Sequence, residues 1–159
     1  MLNVNDPAPD FSLLDQNETI HSLIDYRGSW KVIYFYPKDD TPGCTKEACA
    51  IRDIYHDFEK LGVAVFGVSK DAPAKHKKFA EKYELPFTLL SDHEGTMIDA
   101  YGAWQEKSQF GKTAFGIKRM SYLIDPQNNI AKVYPEVSPT EHALELLADI
   151  NELQSVSGG

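Results

Sequence analysis

Strand-like and helix-like patterns of apolar residues alternate along the chain from one end to the other, with no internal repeat and no linker rich in Gly or Ser. Such alternation predicts a single α/β domain over residues 1–154, followed by a flexible C-terminal tail over 155–159. Residues 11–14 and 20–23 flank the turn-forming Asp15-Gln16-Asn17 and predict an opening β-hairpin. The run Val32-Ile33-Tyr34-Phe35-Tyr36 is β-branched and aromatic throughout and reads as a buried strand. After it, Cys44, Ala48, Ile51, Tyr55 and Phe58 recur at i, i+4, i+7, i+11 and i+14, the stripe of one helix packed on a sheet. Gly62 ends that helix and residues 63–68 read as the next strand, so the stretch forms a βαβ unit with parallel pairing.

Asp71 and Pro73 open a helix that runs to about Tyr83, with a short strand at 87–90 and a short helix at 95–101. Residues 102–118 contain Gly102, Gly111 and Gly116 and read as a long loop, and loops of this length inside a compact domain are usually functional or mobile. Residues 120–124 and 130–134 flank Asp125-Pro126-Gln127-Asn128-Asn129 as a second hairpin. Ser138-Pro139-Thr140-Glu141 has the form of a capping box with Pro at the first helical position; Ala143, Leu146, Leu147, Ile150 and Leu153 supply the apolar face of a closing helix.

Size and charge narrow the function. A chain of 159 residues can bury roughly 68–70% of its unfolded surface, so it needs no staple to fold. Sixteen Lys+Arg against twenty-four Asp+Glu give a net charge of -8, which opposes phosphate backbones and anionic lipid, so neither nucleic acid nor a membrane is an expected partner. No apolar run approaches the roughly eighteen residues of a membrane span. The first ten residues lack the basic and apolar regions of a signal peptide. The expected compartment is the cytoplasm, where thiols are kept reduced and a cysteine pair is catalytic or metal-binding rather than a standing staple.

Both cysteines fall in Thr41-Pro42-Gly43-Cys44-Thr45-Lys46-Glu47-Ala48-Cys49, directly after the strand-like run. A Pro-Gly turn there places Cys44 in the first turn of the helix, where unpaired N–H groups and the positive end of the macrodipole favour thiolate over thiol. Cys44 heads the buried stripe, whereas Cys49 falls with Arg52, Asp53, His56 and Lys60 on the polar side. Two helical positions five apart are separated by roughly 8.6 Å between Cα atoms, beyond the ~7 Å limit for a disulfide. If the two cysteines pair, the first turns of the helix must unwind. The alternatives at this point are two unrelated buried cysteines, or a zinc site of Cys44 and Cys49 with His56 or a distant histidine. Zinc motifs place paired cysteines two to four residues apart, and no two of the five histidines form a spaced pair. A thioredoxin-type oxidoreductase would need C-x-x-C, which the chain lacks.

Pro37-Lys38-Asp39-Asp40-Thr41-Pro42-Gly43-Cys44 has the P-x-x-x-T-x-x-C pattern of peroxiredoxins, and its continuation to Cys49 resembles the atypical two-cysteine subgroup known as bacterioferritin comigratory protein, or PrxQ. The resemblance extends to Pro7-Ala8-Pro9-Asp10-Phe11, to residues 101–108 and to Gly116-Ile117-Lys118-Arg119. It departs in Met120-Ser121-Tyr122, where the family commonly has small hydroxyl residues and Phe. The resemblance implies a thioredoxin-like α/β fold, a central mixed β-sheet flanked by helices with an N-terminal β-hairpin. It also implies a thiol peroxidase without metal or organic cofactor, acting on hydrogen peroxide and organic hydroperoxides, recycled by thioredoxin or glutaredoxin, and monomeric. Its site would comprise Cys44 as the peroxidatic thiolate and Cys49 as the resolving thiol. Thr41 would contact the peroxide, Pro37 would shield the site, Arg119 would stabilise the thiolate and orient substrate, and Glu47 would orient Arg119. Taken singly, Pro37 and Thr41 read as turn or cap residues, Glu47 as a helix-surface acid and Arg119 as a strand-end cation. A non-catalytic redox sensor using the same disulfide switch is the alternative function.

Overall fold

The computed structural model describes residues 1–109 and 111–156. A hairpin of β1 (Ser12–Leu14) and β2 (Ile20–Ser22) opens the chain, as expected, and a 3₁₀ turn over Leu23–Tyr26 leads to β3 (Trp30–Phe35). Helices α1 (Pro42–Asp53) and α2 (Tyr55–Lys60) return the chain to β4 (Val63–Ser69), and α3 (Pro73–Tyr83) leads to β5 (Thr88–Ser91). After α4 (Thr96–Ala100) come β6 (Trp104–Gln109), β7 (Lys112–Ile117), β8 (Met120–Ile124), β9 (Ile130–Tyr134) and α5 (His142–Val156).

Five strands form the central sheet in the order β5-β4-β3-β8-β9. The two βαβ crossovers make β3, β4 and β5 parallel, and β8 and β9 add antiparallel pairs, so the sheet is mixed as expected. Side-chain alternation along β3 divides the core. Val32, Tyr34 and Tyr36 face Ala48 and Ile51 of α1, Phe58 of α2, Phe79 of α3 and Leu146 and Ile150 of α5. Ile33 and Phe35 face the N-terminal hairpin and α4, through Phe11, Leu23, Ile98 and Tyr101. β3 is thereby covered on both faces and paired on both edges, and its C-terminal end delivers the chain to the cysteine segment.

Four expectations change. The helix expected to run unbroken to Gly62 is divided at Ile54, whose φ of -119° and ψ of 16° interrupt it while its N–H donates to the Ile51 carbonyl at 3.2 Å. No Gly or Pro marks the break; a tightened i→i+3 turn there keeps Ile51 and Phe58 buried on the same sheet. The segment 102–118 is no loop but the hairpin of β6 and β7, turning at Gly111 with φ +75°. Its β7 side chains from Lys112 to Phe115 are exposed, so cross-strand backbone bonds hold it and no core alternation announces it. The closing helix starts at His142, the residues expected as a capping box forming a turn in which the Ser138 carbonyl accepts the N–H groups of Glu141 and His142. Of the expected tail, Ser155 and Val156 are helical and 157–159 lie outside the described residues.

Candidate active site

Asp40 takes a left-handed φ of +58° and turns the chain from β3 into α1, with Thr41 in extended conformation at the N-cap. Pro42 and Gly43, expected as a turn, are the first helical residues. Proline fits there because its missing N–H would find no intrahelical acceptor. Cys44 follows in the first turn, 2% exposed, at the positive end of the helix.

The guanidinium of Arg119 joins two residues of α1. Its Nη2 donates to Cys44 Sγ at 3.2 Å and its Nη1 donates to Glu47 Oε1 at 2.8 Å. Cys44 and Glu47 are three positions apart, so the helix presents both on one face, and Arg119 reaches them from the short link between β7 and β8. Burial opposes the Arg119 charge, but the Glu47 carboxylate and the Cys44 sulfur outweigh it and raise its pKa above the usual value. Glu47 is 1% exposed; burial pushes its carboxyl up to about 7 against the opposing pull of Arg119. Its second oxygen, Oε2, has no hydrogen-bond partner among the described residues. Glu47 is therefore a buried acid and not the helix-surface acid that its sequence position alone suggests.

The remaining expected residues are less tightly assembled. Thr41 Oγ1 donates to the Lys38 carbonyl at 2.9 Å, which leaves its lone pairs open. Pro37 is exposed at the start of the same loop. Cys49 is half-buried on α1, and both thiols are free. The zinc arrangement is not assembled, because Cys44 Sγ faces the Arg119 cation and His56 is exposed on α2. Beneath the loop, Asp39, Asp71 and His76 converge closely enough to suggest a metal site. Their atoms are already engaged: Asp39 accepts from Tyr36 Oη at 2.5 Å and lies 2.6 Å from His76 Nδ1, His76 Nε2 donates to the Leu90 carbonyl at 2.9 Å, and Asp71 accepts the Asp39 N–H at 2.8 Å. This network anchors the loop.

The sequence matches the AhpC/TSA family over residues 4–133. It is 42% identical to peroxiredoxin Bcp of Bacillus subtilis, covering 96% of this chain and 97% of that one. It is 45% identical to peroxiredoxin Bcp of Escherichia coli K12, covering 89% and 90%. The fold superposes on a cysteine-to-serine variant of Xylella fastidiosa PrxQ with a TM-score of 0.89 at 31% identity, covering 99% of this chain and 98% of that chain. It also superposes on the bacterioferritin comigratory protein of Xanthomonas campestris, studied for its alkyl peroxide reduction activity, with a TM-score of 0.85 at 33% identity over 89% and 90% of the two chains. The chain belongs to the AhpC/TSA family, as a peroxiredoxin of the Bcp/PrxQ group. It is a thiol peroxidase with a thioredoxin-like fold, taking peroxide as substrate and electrons from a thiol reductant, and the sensor alternative gives way to an enzyme. No helix among the described residues is long and apolar enough to cross a membrane.

Two site features of this peroxiredoxin escaped the sequence. A Cβ on Gly43 would stand 3.0 Å from Arg119 Nη2, so glycine lets the guanidinium close over the helix start. Glycine is a poor helix former, and its place directly before the cysteine was the available signal of a close approach. The Tyr34 hydroxyl is buried without a hydrogen-bond partner among the described residues, beside Gly67, where a Cβ would stand 2.7 Å from it. Burial first, then the negative groups Glu47, Asp39 and Cys44, push this phenol well above its usual pKa and keep it neutral. No local pattern distinguishes Tyr34 from the other aromatic residues of the run.

Proposed function

We propose that Cys44 is the peroxidatic cysteine and Cys49 the resolving cysteine of one α1-based cycle. The observation that carries this assignment is the Arg119 guanidinium held between Cys44 Sγ and Glu47. A donor aimed at sulfur binds a thiolate more strongly than a thiol, and the same cation can stabilise charge that develops on the peroxide oxygens. The thiolate attacks one peroxide oxygen; an S–O bond forms, the O–O bond breaks, and water or an alcohol leaves, with Cys44 left as a sulfenic acid. Thr41, whose hydroxyl donates to the Lys38 carbonyl, accepts the peroxide O–H through a free lone pair. Pro37 contributes an apolar rim to the loop, its exposure favouring a rim over a lid. Glu47 holds the guanidinium in place.

Cys49 then condenses with the sulfenic acid: an S–S bond forms, the S–O bond breaks, and water departs with the Cys49 proton. Because both thiols lie on α1, resolution needs no second chain, which supports a monomeric cycle. Hydrogen peroxide and organic hydroperoxides are the substrates we assign, the latter supported by the alkyl peroxide activity of the Xanthomonas campestris neighbour. Thioredoxin is the assigned reductant, and the cytoplasm the assigned compartment, where reduced thioredoxin is maintained. NADPH consumption through thioredoxin reductase and thioredoxin, with hydrogen peroxide and cumene hydroperoxide in turn, tests the reading. One NADPH per peroxide added is expected; turnover supported only by glutathione and glutaredoxin would overturn the reductant assignment.

A further inference from the structure

Disulfide formation requires α1 to open, and the boundaries of the opening segment are marked by a single residue outside it. Tyr83, the last residue of α3, touches the chain on both sides of the cysteine pair. Its hydroxyl donates to Asp40 Oδ1 at 2.8 Å, one residue before the Thr41 N-cap. Its carbonyl accepts from Arg52 Nη1 at 2.7 Å, one residue before the end of α1 and two before the break at Ile54. Asp40 holds a left-handed φ ahead of the helix, and Arg52 lies in the last turn of α1, two residues before the non-helical Ile54, so the attachments bracket the helix. The segment with Cys44 and Cys49 is thus a loop of chain closed at its two ends onto one residue. Tyr83 is itself held by the α3 core, with its ring edge-on to buried Phe79 at 5.5 Å between centroids.

We infer that Tyr83 is a positioning residue that clamps both ends of the cysteine segment and so sets the rate at which the Cys44 sulfenic acid reaches Cys49. The inference rests on the Cys44–Cys49 disulfide proposed above. Two reactions compete for the sulfenic acid. Resolution forms the disulfide and releases water; a second peroxide converts the sulfenic acid to sulfinic acid, losing one water or alcohol. A tight clamp holds α1 helical, keeps the two cysteines apart and lengthens exposure to the second peroxide. A loosened clamp speeds resolution and protects Cys44, without altering the first attack, because Tyr83 touches neither Cys44 nor Arg119 through any hydrogen bond among the described residues.

Rapid mixing with hydrogen peroxide, followed by acid quench, thiol alkylation and mass spectrometry, separates the steps. Tyr83→Phe keeps the ring and removes one attachment, and because that bond to the Asp40 carboxylate is exposed to solvent, disulfide formation should accelerate by the lower part of a range of roughly 2- to 12-fold. Arg52→Met removes the charged attachment at the other end, with roughly 10- to 150-fold expected. Both should leave the second-order oxidation of Cys44 unchanged and lower the yield of sulfinic acid at high peroxide. Lys82→Met, which removes the exposed ion pair to Asp40 and the cation 5.2 Å from the Tyr83 ring centroid, should accelerate disulfide formation by less than Tyr83→Phe does. A wild-type disulfide that forms at the same rate in Tyr83→Phe and Arg52→Met overturns the clamp alone. Oxidation, disulfide formation and melting temperature changing in step would also overturn it, leaving Tyr83 a packing role. Absence of a Cys44–Cys49 disulfide in wild type would overturn the disulfide reading and the clamp together.

Discussion

Strand β3 and helix α1 are consecutive in the chain and are held in opposite ways. β3 pairs with β4 on one edge and β8 on the other, and Val32, Ile33, Tyr34 and Phe35 are all buried. At roughly 1.5–3 kcal/mol for each large apolar side chain fully buried, those four contribute about 6–12 kcal/mol to its attachment. α1 buries one such side chain, Ile51, with Glu47 and the smaller Cys44 and Ala48, packs against α5, and is further tied by Arg119 and, through Arg52 and the preceding Asp40, by Tyr83. The strand fixes where the cysteine segment starts; the helix is the part that the proposed cycle opens. The proposed redox cycle, whose two cysteines begin with Cα atoms about 8.6 Å apart on a helix, needs this inequality.

Removing each sulfur in turn breaks the comparison most severely. Cys44→Ser should abolish turnover, whereas Cys49→Ser should react once and then hold a sulfenic acid that dimedone labels. Mass spectrometry of dimedone-treated protein reads both outcomes, and equal peroxide reactivity in wild type and Cys44→Ser would remove Cys44 from its role. Next in size is Arg119→Met, which withdraws the donor 3.2 Å from Cys44 Sγ. Hydrogen bonds to charged groups contribute ~1.5–3 kcal/mol, so the second-order rate constant should fall roughly 10- to 150-fold if the bond is fully realised in the transition state. An unchanged rate constant would return Arg119 to the surface-cation role.

An effect on stability rather than on turnover concerns Glu47, whose carboxyl is raised from 4.5 to about 7 in the fold. Because the folded state binds that proton more tightly than the unfolded chain, this group's contribution to stability is fully present below about pH 4.5 and is lost as pH rises through about 7. The full swing is roughly 3 kcal/mol. Urea unfolding of wild type and Glu47→Gln at pH 5 and pH 8 should therefore show wild type losing stability relative to the variant at the higher pH. Parallel stability profiles in the two proteins would show that Glu47 does not titrate in that window.

The β3 side of this comparison was legible in the sequence and the α1 side only partly so. A run of β-branched and aromatic residues bounded by turns has one reading, and the hairpin of β8 and β9 was found at its observed limits because Asp125-Pro126-Gln127-Asn128-Asn129 punctuates it. The stripe of Cys44, Ala48 and Ile51 gave α1 its buried face, but Glu47 shares that face and its charge argued for solvent. Among the described residues Arg119, distant in sequence, is the partner that makes burial of that acid tolerable. The break at Ile54 leaves no Gly or Pro signal, and β6 and β7 bury too little for alternation to show. Local patterns record which elements meet the core. Pairs such as Arg119 with Cys44 join residues that no local period relates, and here they were anticipated through the resemblance carried by Thr41, Cys44 and Arg119.

Hydrogen exchange by mass spectrometry, on reduced and on peroxide-treated protein with the Cys44–Cys49 bond confirmed, tests the central claim most directly. Oxidation should expose the backbone over residues 41–52 while β3 stays protected in both states, because the disulfide cannot close across an intact helix. Equal protection of residues 41–52 in the reduced and disulfide forms would contradict the account.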